Sequence, residues 1–516
     1  MSQNIVLKMP PGLVTDLTSY SAKQMWHDGN LVRWTEEGAL MPVGGWVKTN
    51  EFGEVTGPIR STYSWRSNDF QPWGAVGSED KAYAFRPGEN DNLTDITPDD
   101  LVWEPSEMEG YGSGQYGVGR YGLDSESGGG ITSKFLEAFW TFHNWGEDLL
   151  GVHAIDGRLW YWKQGAATPF EVVANAPIKN YTFIVTNERH VMVLGGDTNP
   201  RKVKWCSRED ITQWAPSATN SAGGFDLDTT GIILAATHVP QGILVFTDID
   251  VHLIEYIGPP FYYSRRLITH DTGVIGPKAF ASTANGVIFM GPNSFWAYST
   301  GVIRVPCPIS NDVFTYSNLS KPLRVFMGEN EETRETWIFY PYIGSTEPDR
   351  VAIFRYDNND SSTWWSKGIL KRTAWLSAIW TEKPYAMDNK DVYQHEIGWT
   401  DNGAPRDIWI KSGAMEISNG DTNMLVNRIY HDAVVIKDSL GTTYAPDPVP
   451  YSLEFLQANA PQAKKYSTGP ITLNSENGFT TTRFKARQIE MTVRQVSQVP
   501  WAMGDLRLRV KAMGAR

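Results

Sequence analysis

The sequence predicts an all-β protein, and three observations predict it. Apolar residues come in alternating or short continuous runs bounded by Gly, Pro, Asn or Asp, and the spacing of an amphipathic helix is almost absent. The chain holds 47 Gly and 30 Pro beside 21 Trp, 22 Tyr and 21 Phe, the mixture of turn formers and strand-favouring aromatics that short strands need. One hairpin pattern also recurs: an apolar strand, a bend bearing Asp, Asn or Gly, then a strand rich in aromatics. It reads WGAVGSEDKAYAF from Trp73, LLGVHAIDGRLWYW from Leu149, ILVFTDIDVHLIEY from Ile243, VIFMGPNSFWAYS from Val287 and PYAMDNKDVYQHEIGW from Pro384.

Hairpins returning about every 40 to 50 residues indicate a β-propeller, whose four-stranded blades bury their faces against one another. The irregular spacing sets six to eight blades, and a pair of packed sandwiches fits the same pattern. Residues 1–57 read as an N-terminal arm with PPGL (Pro10 to Leu13), WHDGNLVRW (Trp26 to Trp34) and GGW (Gly44 to Trp46). Residues 58–430 form the propeller, interrupted by a Gly/Tyr-rich loop at 110–130. Residues 431–516 form a C-terminal β domain suited to docking.

Charge narrows the function. Lys and Arg number 46 against 58 Asp and Glu, a net charge of -12, the wrong sign for gripping phosphates. No apolar run approaches the roughly 20 residues that span a bilayer. The start MSQNIVLKMPPG lacks the basic and apolar regions of a signal peptide, so the chain is expected to stay in the cytoplasm where it is made. Cys206 and Cys307 suit that compartment as free thiols.

Catalytic chemistry finds no foothold. GSGQYG and GVGRYG (Gly112 to Gly122) fit G-x-G-x-x-G, but no helix follows to meet a phosphate. The nine histidines form no metal-binding motif, and His143 and His395 sit among aromatics as packing residues. Neighbouring carboxylates such as Glu331 and Glu332, or Asp99 and Asp100, point apart on a strand. DNNDSS from Asp357 lacks the glycine and the terminal glutamate of a calcium loop. SREDITQW (Ser207 to Trp214) is a lone, glycine-less variant of a sialidase box. No catalytic residue, metal or cofactor is therefore expected.

The interaction candidates lie elsewhere. In RFKARQIEMTVR and LRLRVKA, period two places Arg483, Lys485 and Arg487 on one face of a strand and Arg507, Arg509 and Lys511 on one face of another. Tyr111, Tyr116 and Tyr121 give the glycine-rich loop contact area on a flexible tether.

The stretch VKWCSREDITQWAPSATNSAGGFDL (Val203 to Leu227) resembles the tail nozzle, or tail-hub, proteins of short-tailed bacteriophages. DTGVIGPKAF from Asp271, GVIFMGPNSFWAYSTGVIRVPCPISNDVF from Gly286 and KRTAWLSA from Lys371 follow in the family's order, and the arm resembles its opening. The similarity spans most of residues 10 to 430 and is poorest over 430 to 480. It implies a structural virion protein of the phage tail, assembled in the host cytoplasm as a homo-oligomer, a hexameric ring docked beneath the head-to-tail adaptor. Tail needle, fibre or spike proteins would be its other neighbours, and genomic DNA would pass along the ring without sequence-specific binding during ejection. The alternative is a glycan-binding or glycan-degrading propeller, with Trp364, Trp365 and Trp380 as stacking platforms.

Overall fold

A computed structural model describes residues 2–49, 53–87, 93–103, 137–195, 199–318, 321–356, 364–377, 383–417, 422–434, 436–437, 443–444, 449–474 and 478–513. The chain is all-β. Its first unit is a propeller in which seven four-stranded antiparallel sheets follow one another along the chain. Blade 1 opens with Ser61–Arg66, blade 2 with Trp140–Trp145, blade 3 with Thr182–Val185 and blade 4 with Ile233–Val239. Blade 5 opens with Phe280–Thr283, blade 6 with Phe326–Asn330 and blade 7 with Ala374–Leu376. These opening strands are the inner ones and pack side by side about the axis. Each later strand lies one step outward because a short turn favours pairing with the strand just made.

Blade 7 contributes only three strands from its own stretch. Its outer strand is Trp46–Thr49, which pairs antiparallel with Asp391–His395, His395 opposite Trp46. Blade 7 is thereby completed by a segment some 340 residues upstream, which ties the start of the chain to the end of the ring. Gly44 and Gly45 of the GGW motif allow the approach. A Cβ at Gly45 would stand 2.6 Å from the Thr400 carbonyl oxygen, and one at Gly44 would stand 3.0 Å from the Glu396 Cα.

The second unit interleaves both ends of the chain. One sheet runs in the order Ser2–Leu7, Leu506–Ala512, Met424–Tyr430, Phe479–Ala486; a second joins Trp26–Asn30, Trp409–Ser412, Gln488–Gln495 and Tyr451–Ala458. Phe455 stacks on Phe484 at 5.1 Å between these sheets. A third sheet brings Val32–Trp34 and Leu40–Pro42 to Ala502–Met503. Two expectations change. Residues 1–57 are not a separate arm, because their strands complete the C-terminal domain and blade 7. The blade repeat ends at His395 and not near 430, because Trp409–Ser412 and Met424–Tyr430 pair within the C-terminal sheets.

Bonds cross every blade junction. Ser61 Oγ donates to the Trp140 carbonyl, Thr141 and Thr182 share a hydroxyl bond, and so do Thr237 and Ser282. Between blades 3 and 4, Tyr263 donates to Thr186. The Met327 amide donates to the Lys278 carbonyl, the Trp375 indole to the Glu329 carbonyl, and Thr62 to the Trp375 carbonyl, which returns to blade 1.

Candidate functional site

Two places on the molecule concentrate chemistry. The first is the outward face of the sheet that contains both basic strands. Along Met424–Tyr430 the residues Met424, Val426 and Ile429 are buried, which turns Leu425, Arg428 and Tyr430 outward. Lys485 and Lys511 flank Leu425, Arg509 lies beside Arg428, and Arg507 lies beside Tyr430. The structure thus brings Arg483, Lys485, Arg507, Arg509 and Lys511 together with Arg428 on one surface. Arg483, Lys485, Arg507 and Lys511 are exposed, and Arg428 and Arg509 half-buried. None of the six enters an ion pair among the described residues. Instead the Arg428 guanidinium sits 4.5 Å from the Phe479 ring and that of Arg507 4.9 Å from the Tyr430 ring. Hydrogen bonding from Arg428 draws the Tyr430 phenol below its ordinary value, with its charge and Arg509 adding to the effect.

Arg487 departs from this group: it follows the end of its strand, where its carbonyl accepts from the Ile417 amide. Tyr111, Tyr116, Tyr121 and Trp380 lie outside the described residues. So does DNNDSS.

The second place is the propeller axis. A cavity of about 300 Å³ runs between the inner strands, lined by Thr62, Thr141, Thr182 and Thr237, by His143 and His238, and by apolar side chains including Phe280 and Phe326. Charges crowd the end where the inner strands begin. Arg60 pairs with Glu79 at 2.9 Å and Glu347 at 2.5 Å; Arg324 pairs with Glu79 at 2.9 Å and Glu137 at 2.8 Å. Beside them Lys278 donates its amine to the Arg60 carbonyl and to Ser61 Oγ. Burial, reinforced by the Arg60 charge, pushes that amine down to about 7. Desolvation likewise pushes His143 down to about 3, so the far part of the cavity presents neutral imidazole. Periodicity could not reveal this cluster, since its members come from four blades.

The remaining motifs have structural roles. SREDITQW folds back on itself in blade 3: the Ser207 amide donates to the Gln213 carbonyl, and buried Trp214 packs with Phe183, Val191 and Cys206. His395 is buried against Trp46, Trp337 and Trp375. Trp365 is a core residue donating to the Pro306 carbonyl, and the Arg355 guanidinium sits 5.0 Å from the Trp364 ring, so neither offers a free stacking platform. Cys206 and Cys307 are free thiols, pushed up by burial to about 12. Sequence reasoning missed one polar network. Ser221 and Tyr263 each bond an imidazole nitrogen of buried His190 at 3.0 Å, and Tyr263 also contacts Glu188. Among the described residues no group of three or more His, Cys, Asp or Glu side chains is placed to hold a metal ion, and no helix is long and apolar enough to cross a membrane.

No family model matches the chain, and no curated protein matches it in sequence. Among solved structures it is similar to a streptogramin B lyase, at 10% identity over 67% of this chain and 95% of that one, with a TM-score of 0.39. A virginiamycin B lyase from Staphylococcus aureus matches at 10% identity over 68% of this chain and 98% of that one, also with a TM-score of 0.39. YCF48 bound to D1 peptide matches at 9% identity over 70% and 100%, with a TM-score of 0.39.

Proposed function

We propose that this chain is a structural, non-enzymatic subunit of the tail nozzle ring of a short-tailed bacteriophage, docked beneath the adaptor and enclosing the channel for genome ejection. The observation that carries the reading is the basic sheet face. Six cations without a described carboxylate partner, in a chain of net charge -12, ask for an acidic surface, and the remainder of a neighbouring copy supplies one. When one face meets a different face of the next copy, the contact is heterologous and propagates around a ring. The axial cavity of one propeller has the volume of a small-ligand pocket, so in this reading DNA passes through the bore that the copies enclose between them. Acidic walls there would let the phosphate backbone slide.

Mass photometry of the purified 57.8 kDa chain, alone and with the adaptor, tests the proposal. A six-fold particle supports it; a monomer that ignores the adaptor at micromolar concentration overturns it.

One observation favours a second reading, a glycan-binding propeller: the hydroxyl-lined axial cavity. Its described lining contains no Asp or Glu, so it offers no carboxylate pair for cleaving a glycosidic bond. Turnover on a glycan panel that is lost on changing one carboxylate would replace both readings with an enzyme.

A further inference from the structure

We infer that the axial cavity binds a small polyhydroxylated carboxylate, an acid of monosaccharide size, with its carboxylate against Lys278 and its hydroxyls against the threonines of the inner strands. The inference rests on the glycan-binding reading of the cavity and names the ligand class.

Lys278 supplies the first argument. Of the cations at the charged end, Arg60, Arg324 and Lys321 are each answered by a glutamate, and Lys278 by none among the described residues. A neutral amine has two N–H groups, and the Arg60 carbonyl and Ser61 Oγ take both. The third proton of an ammonium meets no carbonyl or carboxylate among the described residues, only the Phe139 ring 5.4 Å from Nζ, so the charged form is weakly answered and costly. A ligand carboxylate supplies that acceptor and the countercharge together. The forked guanidinium donors that hold a phosphate bidentately are taken here, because Arg60 and Arg324 already pair with Glu79, Glu137 and Glu347.

The walls supply the second argument. In the Thr141–Thr182 and Thr237–Ser282 pairs one hydroxyl hydrogen serves each bond, leaving a second hydroxyl hydrogen in each pair for a ligand oxygen. On the same cavity wall Phe280 and Phe326 offer apolar surface to ring C–H faces. Alternating hydroxyl and C–H surface is the chemistry of a sugar.

Lys278, pushed down to about 7 by burial and the Arg60 charge, changes charge near neutral pH. Facing Lys278 are Arg60 and Glu79 from blade 1, Glu137 before blade 2, and Arg324 and Glu347 from blade 6, with His143 and His238 across the cavity. Glu79 and Glu347 are held low by their arginines despite burial, and both histidines are depressed by burial. Affinity for the acid should therefore be full below pH 7 and fall roughly tenfold per unit above it.

The test is saturation-transfer NMR and calorimetry on the full chain with D-glucuronate, N-acetylneuraminate and neutral glucose. The expected result is that an acid binds at pH 6.5, loses affinity roughly tenfold per unit above pH 7, and binds at least tenfold more tightly than glucose. Lys278→Met should abolish the pH dependence, and Thr237→Val should weaken binding several-fold with the amine intact. A pH-independent affinity of the wild-type chain, or glucose binding as tightly as the acids, overturns the inference while leaving the glycan-binding reading standing. Silence from all three sugars overturns both.

Discussion

The Trp46 ring stacks on the His395 ring at a centroid distance of 5.2 Å and an interplanar angle of 25°, across the seam where the N-terminal strand completes blade 7. Trp46 also donates its indole N–H to Asp401 at 2.5 Å, and the guanidiniums of Arg372 and Arg406 lie 5.1 and 4.9 Å from its ring. The propeller thus closes through one aromatic side chain that is nearly fully buried.

Trp46→Ala should destabilise the fold by about 3–5 kcal/mol, the usual result of emptying a buried Trp site. The loss should come with fraying of blade 7, because the strand that Trp46 anchors has no other sheet to join. Denaturant unfolding gives the energy and hydrogen exchange at residues 46–49 and 391–395 the location. A loss under about 1 kcal/mol would show that the backbone ladder closes the ring unaided.

Arg33 bridges Glu335 at 2.8 Å and Glu396 at 2.7 Å, with all three side chains almost wholly buried. Removing one partner of such a group strands the others without a countercharge. Arg33→Met should cost about 3–5 kcal/mol by thermal unfolding, and adding Glu335→Gln and Glu396→Gln should recover most of it. No recovery would mean that Arg33 acts by packing alone.

Burial holds several imidazoles below their ordinary value: His143 at about 3, His153 at about 4, and His395 well below 6.5, with Arg372, Arg406 and Arg33 adding to the effect there. Below pH 6.5 the unfolded chain takes up protons that the folded chain refuses, so stability present above that pH is lost as pH falls. The loss is up to about 1.4 kcal/mol per unit for each such histidine. Unfolding free energies at pH 7.5 and 5.5 should therefore differ by a few kcal/mol, and His153→Gln should reduce the difference. Equal values at the two pH points would refute buried, neutral histidines.

Reversal of Arg507, Arg509 and Lys511 to Glu should leave the melting temperature nearly unchanged, since the three heads lie on the outward face of their sheet. In the nozzle reading the same variant stays at 57.8 kDa where the wild type assembles. Normal assembly of the triple variant would reduce the basic face to a solubility feature.

The sequence by itself determined the all-β class, the hairpin unit and, Arg487 apart, the outward set of each basic strand, because these are local: period two and a turn residue decide them within about ten residues. It also marked His395 as a packing residue from its aromatic neighbours, whereas His143, read the same way, lines the axial cavity. What only the tertiary structure decided depends on pairing over long separations. Seven blades could be counted only once Trp46–Thr49 was seen to finish the sheet begun at Ala374. Gly44 and Gly45 gave no local sign that Glu396 and Thr400 would press against them. The two basic strands became one surface because Met424–Tyr430 lies between them, and the C-terminal sheets claimed residues from 409 onward that the hairpin rhythm had assigned to the propeller. The axial cluster was hidden for the same reason: Arg60, Glu137, Lys278 and Arg324 occupy the entry points of separate blades, and only closure of the ring puts their charges within reach of one another.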